Sequence, residues 1–137
     1  MQLVIDANIL LAAFGKSAFT RELLLHPRLS LFAPEHLLIE TRKHLDRNIA
    51  LQRRIGLPRA QITALFEMLT GSIETVAFED YNHQMSEALQ LAAHHEDAPY
   101  LALALWKRMP LWSNDKGMKN QSKVKVFTTA QLISQLS

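Results

Sequence analysis

The chain has 137 residues, of which 48% are hydrophobic and 20% are charged, and its formal net charge is +2. This composition is typical of a globular protein and excludes a disordered chain or a membrane protein. The absence of cysteine excludes a disulfide framework and a thiolate metal site, so any metal would be bound by oxygen or imidazole ligands.

Five short apolar runs predict strands. They occupy residues 3–5, 31–33, 76–78, 111–112 and 124–127, and each is followed by helical spacing or by a turn. The third run has the weakest pattern of the five.

Helical spacing separates the first three predicted strands. Residues 10–25 have a helical pattern that is interrupted near Gly15. Pro34 and Pro58 each lie where a helix can begin, because proline is favoured in the first turn. The residues that share one helix face are Leu37, Leu38, Thr41 and Leu45 after Pro34, and Ile62, Leu65, Phe66 and Leu69 after Pro58.

Three further helices are predicted in the second half of the chain. The first covers residues 81–92, and the second begins at Pro99 and is almost wholly apolar to Trp106, which predicts a buried helix. Thr128 and Gln131 have the spacing of a capping box at the start of the last helix.

Alternating strands and helices predict an α/β fold in which a mainly parallel five-stranded sheet is covered on both faces. We expect a three-layer α/β/α arrangement and one domain over residues 1–137. In such sheets, ligands bind beyond the carboxyl ends of the strands.

Four acidic residues follow or flank the predicted strands. Asp6 comes directly after the first strand, and Asp115 follows the fourth. If those two strands are neighbours, both carboxylates face one crevice. Asp97 lies where the buried helix begins, and Glu40 lies in the helix after the second strand. Hard oxygen ligands without cysteine favour Mg²⁺ or Mn²⁺, which would also relieve the repulsion between the carboxylates.

Each of the four acids also has a purely structural interpretation. Asp6 and Asp97 are favoured N-cap residues of the helices that follow them. Asp115 belongs to a turn sequence, and Glu40 lies at the flank of its helix stripe, where a solvated side chain is the ordinary outcome. The acids therefore indicate a site only in combination.

Together these positions resemble the motifs of the PIN domain family. The first strand ends in D-x-N, a Glu lies in the helix after the second strand, and an Asp begins a buried helix followed by Leu103 and Ala104. The fourth strand ends in a hydroxyl residue, then x-D. The matching residues are Asp6, Asn8, Glu40, Asp97, Ser113 and Asp115.

The resemblance implies a Rossmann-like sheet and a metal-dependent nuclease, similar to the VapC-type toxins of toxin–antitoxin pairs, which cut RNA and usually form homodimers. It implies that Asp6, Glu40, Asp97 and Asp115 bind Mg²⁺ or Mn²⁺. Asn8 and Ser113 would hold carboxylates and waters in place. Two departures are Ser113, where the family more often has Thr, and the extra acid Glu96, which would replace or assist Asp97.

The expected reaction is in-line hydrolysis of a phosphodiester by water activated at the metal. The sequence has no cysteine, no G-x-S-x-G nucleophile elbow and no phosphate-binding G-x-x-x-x-G-K-[ST] loop. Nucleoside triphosphate hydrolysis is therefore not expected.

Basic residues are concentrated near the carboxyl end of the chain. Residues 107–125 hold six Lys or Arg and one acid, a net charge of +5, whereas the first 106 residues have a net charge of −3. We expect Lys116, Lys119, Lys123 and Lys125 to hold substrate phosphates near the metal. Arg42 is a further candidate for binding nucleic acid, and a solvated basic surface is the alternative.

Three alternatives to a toxin nuclease stay open. A catalytically silent module of the same fold would bind nucleic acid or protein without cutting, and a housekeeping nuclease would process RNA without an antitoxin. A phospho-accepting receiver domain would need an Asp at the end of the third strand, where Asp80 is a poor candidate.

The amino terminus has no pattern of a secretory leader, and no apolar run approaches the ~20 residues of a membrane span. We therefore expect a cytoplasmic protein. The resemblance to VapC-type toxins implies that it binds RNA and a small antitoxin.

Overall fold

Five parallel strands form one sheet in the computed structural model, which describes residues 1–15 and 18–137. In the described chain the strand order is β3-β2-β1-β4-β5. The strands are β1 (Gln2–Ile5), β2 (Ser30–Pro34), β3 (Glu74–Val76), β4 (Leu111–Trp112) and β5 (Val126–Phe127). Val4 pairs with Phe32 of β2 on one side and with Leu111 of β4 on the other. The order of the strands therefore reverses at β1 and β4, which meets the condition under which Asp6 and Asp115 face one crevice.

Helices cover both faces of the sheet. Within the described residues they are α1 (Ala7–Ala12), α2 (Phe19–Leu24), α3 (Glu35–Arg47), α4 (Ile49–Ile55), α5 (Arg59–Thr70), α6 (Phe78–Tyr81), α7 (Met85–Leu91), α8 (Ala98–Lys107) and α9 (Thr129–Leu136). Helix α3 contacts α1 and α5, whereas α8 contacts α6 and α7. Right-handed crossovers in this strand order place these two groups on opposite faces. The predicted three-layer α/β/α fold is confirmed.

The core lies on both faces of the sheet, with β1 at its centre and α8 packed against it. Leu3, Val4 and Ile5 have no exposed surface, and Ala98, Leu101 and the three residues after it are buried. A strand that is apolar at every position fits the centre of a parallel sheet, because helices cover both of its faces. The polar residues that follow β1 and precede α8 are therefore held by a rigid framework.

The predicted helix starts agree with the structure. Pro34 and Pro58 are the N-cap residues of α3 and α5. Thr128 and Gln131 form the predicted capping box of α9, in which each side chain accepts a backbone N–H of the other residue. Proline and capping motifs act locally, so the sequence alone placed these boundaries.

The third strand was predicted two residues too late. It covers Glu74–Val76, and Phe78 begins α6 with half of its surface exposed. Glu74 and Thr75 are exposed because β3 is an edge strand, so a rule based on apolar runs missed them. Asp80 consequently lies in α6, beyond the strand end that a receiver domain would use.

Two other boundaries differ from the prediction. The fifth strand begins at Val126, two residues later than predicted, and the backbone N–H of Val124 donates to the side chain of Gln121 in the preceding loop. Helix α4 was not predicted; the side chain of Asn48 caps its start and Gly56, with φ 73°, ends it. The predicted helix over residues 10–25 is split into α1 and α2, and its residues 16 and 17 lie outside the described chain.

Of the helices in the described part of the chain, none combines the length and the apolar character needed to cross a membrane.

Candidate active site at the carboxyl edge of the sheet

Asp6 and Ser113 lie side by side at the carboxyl ends of the two central strands. The register pairs Ile5 with Trp112, so the residue after each strand reaches the same edge. The hydroxyl of Ser113 donates a hydrogen bond to Oδ2 of Asp6, and Oδ1 of Asp6 accepts the backbone N–H of Ile9 at 3.0 Å. Asp6 is only 3% exposed. The predicted helix cap is therefore real, and it coexists with a buried carboxylate at the rim of the sheet.

Asp115 is connected to Asp6 through Ser113. Oγ of Ser113 accepts the backbone N–H of Asp115 at 3.0 Å. Oδ1 of Asp115 accepts the backbone N–H of Gly117 at 2.9 Å, which is the predicted turn. One buried hydroxyl thus links the side chain of Asp6 to the backbone of Asp115.

Asp97 approaches the same edge from the start of α8. It occupies the N-cap position, but its side chain makes no capping hydrogen bond. Oδ2 of Asp97 is buried, and within the described residues it has no hydrogen-bond partner. Because an unpaired buried carboxylate oxygen is costly, the capping interpretation does not explain this residue.

The acids influence one another electrostatically. Burial raises the pKa of Asp6 above the ordinary value of 3.8, Asp115 adds to the increase, and the hydrogen bonds from Ser113 and Ile9 oppose it. Burial also raises the pKa of Asp97, with further contributions from Asp115, Asp6 and Glu96, while His94 lowers it. Three carboxylates therefore converge at this edge, and within the described residues the opposing contributions do not cancel the increase in the pKa of Asp6 or of Asp97.

The chemistry of these donors fits a divalent cation. All three side chains offer carboxylate oxygens, and Oδ2 of Asp97 has no other partner in the described chain. Among residues 1–15 and 18–137, however, no group of three or more acidic or histidine side chains is already arranged to hold a metal ion. Asp6, Asp97 and Asp115 are the residues that would hold such an ion.

Glu40 lies outside this cluster. Its side chain is two-thirds exposed and lies 3.8 Å from Nζ of Lys43 on the same helix. It lines a cavity of about 860 Å³ together with Ala7, Glu96 and Tyr100. Ala7 and Glu96 are the chain neighbours of Asp6 and Asp97, so the cavity lies next to these two acids. The structure therefore brings three of the four predicted ligands together and leaves Glu40 on the wall of the adjacent cavity.

The residues expected to support the acids occupy different surroundings. Asn8 is exposed in the first turn of α1, and its backbone contributes a hydrogen bond that lowers the pKa of Asp6. Glu96 is exposed in the short 3₁₀ segment before α8. Of the three residues expected to support the acids, Ser113 alone is fully buried.

The basic residues divide between the two edges of the sheet. Lys116 and Lys119 follow Asp115, and Nζ of Lys119 donates to Oε1 of Gln131 at 2.7 Å. Arg42 lies toward α5 instead, with its guanidinium 3.7 Å from Glu67. Lys123 and Lys125 precede β5 and lie at the amino edge, so the expectation that they hold phosphates near the metal was wrong. Sequence proximity to Asp115 was misleading because β4 and β5 are parallel. The chain must therefore return from the carboxyl edge to the amino edge before β5 begins.

Tyr100 is a site residue that the sequence analysis missed. It is 7% exposed and follows Asp97 by three positions, which places both on one face of the helix start. Burial raises the pKa of its hydroxyl, and Asp6 and Asp97 add to the increase. The signal available in the sequence was an aromatic residue, Tyr100, about one helical turn after Asp97.

A sequence model of the PIN domain matches residues 4–137. The chain belongs to the PIN domain family. Members of this family are generally nucleases. Comparison with curated proteins finds no match.

Solved structures share the fold at low sequence identity. A structure of VapBC2 from Rickettsia felis bound to a promoter DNA fragment has a TM-score of 0.67 and 16% identity, covering 93% of this chain and 98% of that one. PAE2754 from Pyrobaculum aerophilum has a TM-score of 0.70 and 16% identity, covering 99% and 89%. A toxin–antitoxin complex from Klebsiella pneumoniae has a TM-score of 0.65 and 18% identity, covering 93% and 97%. These similarities show the PIN fold across nearly the whole chain.

Proposed function

We propose that this PIN domain is a Mg²⁺- or Mn²⁺-dependent ribonuclease that hydrolyses internal phosphodiester bonds. The observation that carries the proposal is the convergence of Asp6, Asp97 and Asp115 at the carboxyl edge, where Oδ2 of Asp97 is buried without a partner in the described chain. Such a cluster is unfavourable by itself, and a divalent cation would relieve both its repulsion and its missing contact.

The protein residues would position the reaction. Ser113 and the N–H of Ile9 orient the carboxylate of Asp6, and the N–H of Gly117 orients that of Asp115. Asp6, Asp97 and Asp115 would hold a divalent ion, which would supply activation of water and stabilisation of the charge that develops on the phosphate. Glu40 would add a ligand from the adjoining cavity, and Glu96 would assist Asp97.

Substrate phosphates would be held by cations close to the acids. Lys116 and Lys119 follow Asp115 in a 3₁₀ segment, and both are exposed. Their backbone is fixed by the hydrogen bond between Asp115 and Gly117. Arg42 would contact the RNA only at a distance from the acids, because it is paired with Glu67.

We further propose that the nuclease is the toxin of a toxin–antitoxin pair, acts in the cytoplasm and forms a homodimer. Two of the similar structures are described as a VapBC protein and as a toxin–antitoxin complex, which supports this assignment. An antitoxin would cover the acids and place an Arg or Lys among them. Co-purification of a small partner encoded next to this gene supports the toxin assignment. Absence of a partner, together with unaffected growth on overexpression, favours housekeeping RNA processing.

The catalytic proposal is tested by incubating mixed RNA with the protein and Mn²⁺, with EDTA in place of Mn²⁺, and with the Asp6→Asn variant. Asp80→Asn is the matched control, because it removes the same charge from an exposed position in α6. We expect cleavage by the parent and by Asp80→Asn in Mn²⁺ only, and none by Asp6→Asn. If all reactions look alike, the protein is a silent binding module of the PIN fold.

A further inference from the structure

A second basic surface lies at the amino edge of the sheet, opposite the acidic site. Arg108 follows α8, and Lys123 and Lys125 precede β5. These three residues line a cavity of about 520 Å³ that has no acidic residue in its described lining. We call Arg108, Lys123 and Lys125 the basic rim.

We propose that the basic rim binds the phosphate backbone of nucleic acid, as a second contact separate from the site of cleavage. The proposal shares with the proposed function only the assumption that the partner is nucleic acid. Charge complementarity supports it, since three cationic residues line a cavity whose described lining holds no acid, and such a patch attracts a polyanion. It also accounts for three of the four basic residues of the segment 107–125 that the cleavage site does not use; Lys107 is not part of the rim.

Arg108 occupies a position that ordinarily favours glycine. It ends α8 in the left-handed conformation, with φ 54°, and among the described non-glycine residues it alone has a positive φ. A residue with a Cβ is disfavoured in this conformation, and glycine is the usual choice after a helix. An arginine here sacrifices backbone stability, which points to a use for its side chain.

The opposite side of the rim is built by a loop that Gln121 organises. Nε2 of Gln121 donates to the carbonyls of Met118 and Val124, and Oε1 accepts the backbone N–H groups of Lys123 and Val124, all at 2.8–3.0 Å. These four hydrogen bonds use both N–H donors and both acceptor sites of the Gln121 side-chain amide. The backbone that carries Lys123 is thus ordered before any ligand binds, which lowers the entropic cost of binding.

Lys125 is also held in place. Its backbone carbonyl accepts the N–H of Leu111 at 2.9 Å, and its Nζ lies 4.9 Å from the centre of the Phe127 ring. Lys123 makes an ion pair of 3.1 Å with Glu87, and both side chains are substantially exposed. Exposed ion pairs contribute little to stability, so a phosphate can replace Glu87 without a large loss.

The geometry predicts a dependence on substrate length. The rim and the acids lie at opposite ends of β1, whose four residues span roughly 13 Å. An oligonucleotide bound at the acids must extend past the length of the strand before it reaches the rim. Short and long oligonucleotides therefore distinguish the second contact from the cleavage site.

The test measures binding by fluorescence anisotropy in the Asp6→Asn background, which prevents cleavage. Single-stranded RNA of about 4 and about 20 nucleotides is titrated against the parent background and against Arg108→Gly combined with Lys125→Gln. The control combines Arg54→Gln with Arg59→Gln, which removes the same charge from exposed positions of α4 and α5. Thermal unfolding of every variant is recorded, and the rim variant should have a Tm at least as high as that of its parent.

We expect the rim variant to bind the longer RNA about tenfold more weakly at low salt than its parent, and the short RNA equally well. The slope of log affinity against log salt should fall by about 1.4 for two lost phosphate contacts on a single strand. Equal affinity for the longer RNA, equal losses at both lengths, or the same loss in the charge-matched control would each overturn the proposal. Cleavage by the otherwise unaltered protein is measured separately, so an inactive enzyme with an intact rim contact is recognised as a failure of the nuclease proposal alone.

Discussion

The hydroxyl of Ser113 donates a hydrogen bond to the carboxylate of Asp6, although the two residues are 107 positions apart in the chain. Both side chains are buried, and the same oxygen of Ser113 accepts the backbone N–H of Asp115. This arrangement joins the ends of β1 and β4 and orients two of the three acids. The contribution of this arrangement to protein stability and its effect on catalysis are separable by substitution.

Ser113→Ala should lower the free energy of unfolding by about 1–3 kcal/mol, because it leaves a buried carboxylate oxygen and a backbone N–H without their partner. RNA cleavage should fall as well, since Asp6 loses its orientation. Ser113→Thr keeps the hydroxyl and should retain more of both properties. Chemical denaturation and a cleavage assay measure the two effects. An alanine variant as stable and as active as the parent would contradict this role.

Asp97→Asn should abolish most of the stabilisation that Mn²⁺ confers. A ligand present at 100 times its Kd stabilises the folded state by about 2.7 kcal/mol, which appears as a higher Tm. Asp97 offers a buried oxygen without a partner in the described chain, so its loss should weaken metal binding. Asp80→Asn is the control and should keep the full Mn²⁺ effect. Equal Tm increases for Asp97→Asn and the parent would remove Asp97 from the proposed ligands.

The stability of the metal-free protein should depend on the ionisation of Asp97. The pKa of this residue is raised above 3.8 in the folded state, so the folded state retains a proton that the unfolded chain releases. Its stabilising contribution is full below pH 3.8 and is lost as the pH rises through the raised folded pKa. In EDTA, Asp97→Asn should therefore be more stable than the parent at neutral pH and lose that advantage in acid. A constant difference in Tm at every pH would refute the assigned cause.

Glu40→Gln should leave the metal-free protein within about 0.5 kcal/mol of the parent, because this side chain is exposed and its ion pair with Lys43 is a surface pair. Cleavage in Mn²⁺ should nevertheless decrease if Glu40 joins the metal from the adjacent cavity. Glu74→Gln, at an exposed position on the edge strand, is the matched control. Unchanged cleavage with intact stability would confine the ligands to the three clustered aspartates.

Local patterns explain why much of the fold was predictable. The run of apolar residues at 3–5 indicates a strand that is buried on both faces of the sheet. Pro34, Pro58 and Thr128 mark helix starts through interactions within a few residues of the chain. Edge strand β3 and helix α4 were harder. Exposed residues carry little hydrophobic pattern, and β3 begins with exposed Glu74 and Thr75.

The positions of Asp6 and Asp115 followed from the sequence because Asp6 directly follows β1 and Asp115 comes shortly after the end of β4, and parallel strands end at one edge of their sheet. Only the tertiary structure decided that Ser113 bonds to Asp6 and that Oδ2 of Asp97 has no partner in the described chain, since both depend on contacts between distant segments. The same is true of the separation of Lys123 and Lys125 from Lys116 and Lys119. Chain order records how near residues are along the backbone, whereas the direction of each strand determines the edge of the sheet at which their charges lie.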